Sequence, residues 1–182
     1  MTDHLSLPRR GFLFWGAAAA ATLIVKPDTA SAAVDKYRTL TLHARWSAED
    51  FRGPYYEKGR YLPDALAEIN HLLRDRHNEA VTKMDIRLLD LLNRFTADAG
   101  YDRPLEIVCG YRSRSTNNAL LQQGQKVAKD SLHILGRAVD VRFDGLPLKQ
   151  ARKIAIAMEA GGVGYYRKQK FLHLDVGPVR SW

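Results

Sequence analysis

The chain has 182 residues, 28 of them Lys or Arg against 20 Asp or Glu, for a formal net charge of +8. A single cysteine excludes both a disulfide framework and a thiolate-rich structural metal cluster. The positive balance suits an anionic polymer, of cell wall or nucleic acid alike, and does not choose between them.

The first segment reads as an export address. Pro8-Arg9-Arg10-Gly11-Phe12-Leu13 is a twin-arginine motif, an apolar run follows over 12–25, and Ala30-Ser31-Ala32 is a small-residue cleavage site. A retained membrane anchor is the alternative, but a spanning helix needs about 20 apolar residues and Lys26-Pro27-Asp28 ends this run early. Residues 1–32 are therefore expected to be a cleaved twin-arginine signal, with no stable membrane insertion afterwards and a periplasmic destination. They carry three basic and two acidic side chains, which leaves +7 on residues 33–182. About 150 residues is the size of one domain with one core. Export argues against a nucleic-acid partner, and no aromatic-and-basic stacking platform is present.

Residues 37–43 alternate Leu40 and Leu42 with Thr39 and Thr41, a half-buried strand. Residues 46–58 mix aromatics, charges and Gly53-Pro54, an irregular strand and turn. Pro63-Asp64 opens a helix with Leu66, Ile69, Leu72 and Leu73 on one stripe, which leaves His71 and His77 at the surface. Asp85 caps a second helix carrying Ile86, Leu89, Leu92 and Phe95 inward and closed by Gly100. Both helices read as packing material.

Residues 105–109 read as a buried strand with Cys109 as a core thiol. At 110–117 the chain leaves the sheet toward a polar helix start; Arg112 there is either a solvated loop residue or a fork-shaped partner for a carboxylate or carbonyl. Residues 120–130 are polar, a helix tail and an exposed loop. Residues 147–160 form an alanine-rich amphipathic helix with Leu148, Ala151, Ile154, Ala155 and Met158 inward, ended by Gly161-Gly162. Gly164 begins a last hairpin with Arg167-Lys168-Gln169-Lys170 at its turn.

The chemistry concentrates in Ser131-Leu-His-Ile-Leu-Gly-Arg-Ala-Val-Asp140 and Phe171-Leu-His-Leu-Asp175. Residues 138–143 are a short strand that aims Asp140 to one sheet face, and Gly136 lets the upstream loop double back to bring His133 beside it. Residues 171–176 are a second short strand on which His173 and Asp175 share a face and Leu172 and Leu174 take the other. Two imidazoles and one carboxylate are ordinary zinc ligands, and three protein ligands with the fourth place left to water is the pattern of a catalytic site. His133, Asp140 and His173 are the expected zinc ligands, with Asp175 close behind.

Ser-x-His-x6-Asp, followed by a histidine on a terminal strand, resembles the LAS metallopeptidases, which include zinc D-Ala-D-Ala carboxypeptidases and D,D-dipeptidases. Gly110-Tyr111-Arg112-Ser113, Gly-Gly-Val-Gly-Tyr-Tyr at 161–166 and the His-Leu-Asp-Val-Gly-Pro-Val-Arg-Ser-Trp ending are similar to the murein endopeptidase K branch of that family. The resemblance implies a single α+β domain over 33–182, helices packed on a small antiparallel sheet with a zinc cleft, as in hedgehog and D-Ala-D-Ala peptidase domains. It implies hydrolysis of peptide cross-links between murein stem peptides, with Arg112 as a substrate contact and Ser115, Asn117 and Ser131 as further candidates. Better-known relatives place Glu or Asp three residues before the last histidine ligand as the proton acceptor; this chain has Lys170 there. Asp175 is the nearest substitute, as base or as the residue that orients a ligand imidazole. Carboxypeptidase action on stem peptides and a zinc-bearing, non-catalytic wall-binding module stay open as alternatives. Oligomeric state is not written in the sequence.

Overall fold

The computed structural model describes residues 37–182, so the expected signal at 1–32 lies outside the described residues. Strand β1 (Tyr37–Ala44) folds back as a hairpin on β2 (Glu49–Glu57), which pairs with the two-residue β3 (Arg60–Tyr61). Helices α1 (Pro63–Leu72) and α2 (Ile86–Asp98) follow, then β4 (Leu105–Cys109) and α3 (Arg114–Gln122). A 3-10 turn at Leu132–Leu135 leads into β5 (Ala138–Phe143) and α4 (Leu148–Ala157). The chain ends in β6 (Gly162–Tyr166), β7 (Phe171–Asp175) and β8 (Arg180–Ser181).

All eight strands form one sheet in the order β3-β2-β1-β4-β5-β7-β6-β8. The expected small antiparallel sheet is thus corrected to a larger, mixed one: β1 runs parallel to β4, and β6 parallel to β8. The first parallel pair exists because two helices separate β2 from β4, a crossover long enough to return the chain in the same direction beside β1. Residues 49–57 form the irregular strand expected of them: the register with β1 shifts between Arg38 and Thr39, leaving Tyr55 as the extra residue of β2 beside Pro54, which cannot donate to the ladder.

Helices α1, α2 and α4 cover one face of the sheet. Leu42, Leu105, Ile107, Val139, Val141, Leu172 and Leu174 are buried in a core shared with Ile69, Leu88, Leu92 and Phe95 from α1 and α2. Local chemistry sets the helix ends: Pro63 sits in the first turn of α1, Asp85 accepts a hydrogen bond from Arg87 N at the start of α2, and Gly100 follows α2 in a left-handed conformation. His71 and His77 are exposed. The opposite face of β4, β5 and β7 carries a different population: Cys109, Asp140 and His173.

Candidate metal centre

Register brings the site residues together. Asp140 on β5 lies directly across from His173 on β7, and on the other side Cys109 on β4 pairs with the same Asp140. His133 arrives from the 3-10 turn, whose start is capped by Ser131 Oγ, 3.4 Å from His133 N. Gly136 ends that turn with φ of 63°, and a Cβ there would sit 2.9 Å from the Lys83 carbonyl oxygen. Only glycine permits the chain to double back there, which is what delivers His133 to the sheet.

Three atoms converge. His133 Nε2 is 3.1 Å from His173 Nδ1, His173 Nδ1 is 2.9 Å from Asp140 Oδ1, and His133 Nε2 is 3.3 Å from Asp140 Oδ1. All three residues are buried. The outer partners fix the tautomers: His133 Nδ1 lies 2.7 Å from the Gly110 carbonyl, which can only accept, and His173 Nε2 lies 3.0 Å from Asp175 Oδ2. In the neutral imidazoles the nitrogens left facing each other are therefore the unprotonated ones. Two bare nitrogens and a carboxylate oxygen crowded together repel one another unless a proton or a cation sits among them. Ligands held 2.0–2.1 Å from a tetrahedral zinc lie about 3.3–3.4 Å apart, so the triangle is close to one face of that tetrahedron. The donor set, the burial and the outer hydrogen bonds fit a divalent cation of zinc type.

Electrostatics agree. Burial works against a charged His133, yet Asp140 beside it pulls the imidazole well above the usual histidine range. Burial pushes Asp140 up, but His133 and His173 outweigh it and hold the carboxyl low. Cys109 follows the same logic: burial raises the thiol, and the neighbouring His133 leaves it below its ordinary value.

Cys109 is the residue that sequence reasoning misplaced. Strict alternation puts it on the core face with Leu105 and Ile107, but a bulge between Ile107 and Cys109 shifts the register and turns the thiol toward His133 and Asp140. Its sulfur lies within 4.8 Å of the His133 and Asp140 donor atoms, so a second triad shares two members with the first. The His173 set is the tighter, with its three contacts between 2.9 and 3.3 Å. No spacing signal in the sequence announces a bulge.

The centre opens on a cavity of about 700 Å³. Arg112 and Ser131 line it, together with the loop around Gln125 and Lys126 and an aromatic wall of Tyr166, Phe171 and Trp182. Arg112 Nη1 donates to Asn117 Oδ1 at 3.3 Å and Nη2 points at Cys109 Sγ at 3.6 Å; among the described residues it has no carboxylate partner. The other two polar candidates do not line the cavity. Asn117 is 0% exposed, its amide donating to the Ala128 and Lys129 carbonyls while its oxygen holds Arg112. Ser115 bonds to Asn78 and Ser113 and lies outside the cavity lining.

Asp175 is fully buried. Its Oδ1 accepts from Gly162 N, Gly177 N and Arg180 Nη1, and its Oδ2 from His173 and Arg180 Nη2. Burial favours its neutral form, but these donors, His173 first, hold the carboxyl well below the usual range. With five donors and no exposure it has no lone pair turned to a substrate water. Lys170 sits in the exposed β6–β7 turn with φ of 58°. Two other acidic residues are engaged elsewhere: Asp144 is tied to Arg103 and Glu106 to Arg45, both away from the cavity.

A family model described as peptidoglycan L,D-endopeptidase MepK matches residues 32–182. The Escherichia coli K12 protein named peptidoglycan L,D-endopeptidase MepK is 36% identical over 181 residues, 99% of this chain and 100% of that relative. The Haemophilus influenzae protein named probable peptidoglycan L,D-endopeptidase MepK is 34% identical over 175 residues, covering 96% of this chain and 94% of its own length.

Proposed function

Because the chain belongs to the peptidoglycan L,D-endopeptidase MepK family, a family of LAS-type peptidases, we propose that it hydrolyses peptide cross-links in peptidoglycan at a zinc ion held by His133, Asp140 and His173. The observation that carries this reading is the meeting of His133 Nε2, His173 Nδ1 and Asp140 Oδ1 within 3.3 Å, each imidazole turned there by a hydrogen bond on its far side. Zinc in that place supplies Lewis acidity, which activates water near neutral pH and polarises the scissile carbonyl.

The chain's own residues do the rest. Gly110 and Asp175 keep the two imidazoles in the tautomers that leave the inward nitrogens bare. Asp175 is an orienting residue rather than the base, since every oxygen lone pair it has is engaged. Arg112, steadied by Asn117 and Cys109 and free of any carboxylate among the described residues, is placed to contact a substrate carbonyl or carboxylate in the cavity. Ser131 serves mainly to cap the turn that carries His133. The fold is of the hedgehog and D-Ala-D-Ala peptidase kind, with the metal in a cleft on the sheet face opposite α1, α2 and α4.

Residues 1–32 act as a twin-arginine signal that places residues 33–182 outside the cytoplasm, where peptidoglycan is; the family match beginning at residue 32 supports that boundary. No helix among the described residues is long and apolar enough to cross a membrane. Peptidoglycan stem peptides are the partner, and nothing in the site calls for nucleic acid.

Purified peptidoglycan digested with the wild type and with H133A tests the reading. Disappearance of cross-linked dimers with the wild type alone supports it, and release of free D-alanine instead indicates carboxypeptidase action. Lys170 at the position of the usual acid favours one further reading, a zinc-bearing binding module; intact wall with stoichiometric zinc in the protein would establish that one.

A further inference from the structure

Strand β6 lies between β7 and β8, yet two side chains at the β8 end reach β7 across it. Arg180 Nη2 is 2.7 Å from Asp175 Oδ2 and its Nη1 is 3.1 Å from Oδ1, while the Trp182 indole lies 5.4 Å from the His173 ring. They reach it because β6 offers no side chain beneath them. A Cβ on Gly162 would stand 2.3 Å from Asp175 Oδ2 and 2.5 Å from Arg180 Nη1, and a Cβ on Gly164 would stand 2.7 Å from Trp182 Cζ2. Neither glycine has positive φ, so the requirement is for space and not for an unusual backbone.

We propose that Arg180 is a positioning residue of the metal centre, gripping both oxygens of Asp175 so that Asp175 turns His173 Nδ1 toward His133 and Asp140. The inference rests on the reading above that a metal binds at those three residues. A fully buried carboxylate is tolerated when it is paired and all its lone pairs are engaged. Among the described residues Arg180 is the one arginine or lysine in contact with Asp175. Its planar fork meets both carboxylate oxygens at once, which fixes the plane of the group in a way that a lysine ammonium does not. The guanidinium is itself held from the far side, its carbon 5.0 Å from the Trp182 ring centroid. Gly162 is the counterpart of this device: it donates its N–H to Asp175 Oδ1 and keeps the crossing clear. The chain therefore reaches from Trp182 through Arg180 and Asp175 to a ligand imidazole.

Zinc affinity of the full chain, measured by competition with a chromophoric chelator, tests this without reference to turnover. Loss of an outer hydrogen-bonding partner typically costs about 10–100-fold in metal affinity, and R180A is expected in that range. R180K should recover part of the loss. G162A should weaken zinc similarly while Arg180 is still present, because its methyl group enters the crossing. Wild-type affinity in R180A overturns the inference, as does an R180K variant that binds zinc as tightly as the wild type. If R180A does not fold, as judged by circular dichroism, R180K decides: affinity equal to the wild type overturns the inference, and affinity below it supports it. A wild-type chain that holds no stoichiometric zinc overturns the metal reading itself, a result distinct from tight binding that Arg180 fails to influence.

Discussion

The two faces of strands β4, β5 and β7 are made from the same three segments, by alternation along β5 and β7 and by a bulge in β4, and they obey different rules. On the helix side Leu105, Val141, Leu172 and Leu174 are buried against leucines and phenylalanine, where any hydrophobe of similar volume serves. On the cleft side Asp140, His173 and Asp175 are nearly as buried and Cys109 is half-buried, and each of the four has a named polar partner. Neighbours one residue apart in sequence therefore differ in what a substitution removes: packing energy on one face, chemistry on the other. Burial alone does not distinguish them.

The sharpest way to break that contrast is H133A, expected to abolish zinc retention and cross-link hydrolysis together while the fold persists. Metal analysis and peptidoglycan digestion read it out, and full activity would defeat the site assignment. Leu172→Ala, beside His173 but on the opposite face, should lower unfolding free energy by about 2–5 kcal/mol in a urea titration, with zinc stoichiometry unchanged. Arg112→Ala should cut kcat by about 10²–10³ with zinc retained, as expected for loss of one charge-stabilising donor; loss of the metal instead would make it part of the scaffold.

Asp75→Asn addresses the loop behind Arg112. Burial pushes the Asp75 carboxyl up, but hydrogen bonds from Thr116, His77 and Ser113 leave it below its ordinary value of 3.8. A depressed carboxyl contributes stability that is complete above that value and is lost as pH falls through the lower, folded one. The variant should cost about 1–3 kcal/mol at neutral pH, and the gap to the wild type should close in acid below about pH 4. The smallest effect is expected of Cys109→Ser. If His173 completes the metal triad, zinc stays at one per chain; loss of zinc here would transfer that role to the thiol.

Much of this was legible beforehand. Asp85 and Pro63 start their helices through chemistry confined to a few residues, and the Leu-His-Leu-Asp alternation places His173 and Asp175 on one face of β7 whatever surrounds them. Cys109 was misread because a bulge, which has no composition, moved it between faces. Asn117 and Ser115 suggest substrate contacts because a polar residue at a helix start looks alike in sequence whether it lines a cavity or, like these two on α3, lies outside the lining. The glycines of β6 looked like a helix stop and a hairpin start, and only the crossing of Arg180 and Trp182 explains why 162 and 164 lack side chains.

By itself the sequence determined the period-two faces, the helix starts, and the types and spacing of the candidate ligands, because these depend on near neighbours in the chain. Only the tertiary structure decided the parallel pairing of β1 with β4, the arrival of Cys109 at the centre and the reach of Arg180 to Asp175. Each of those depends on which distant segments end up side by side, and that is settled by burying the whole core at once.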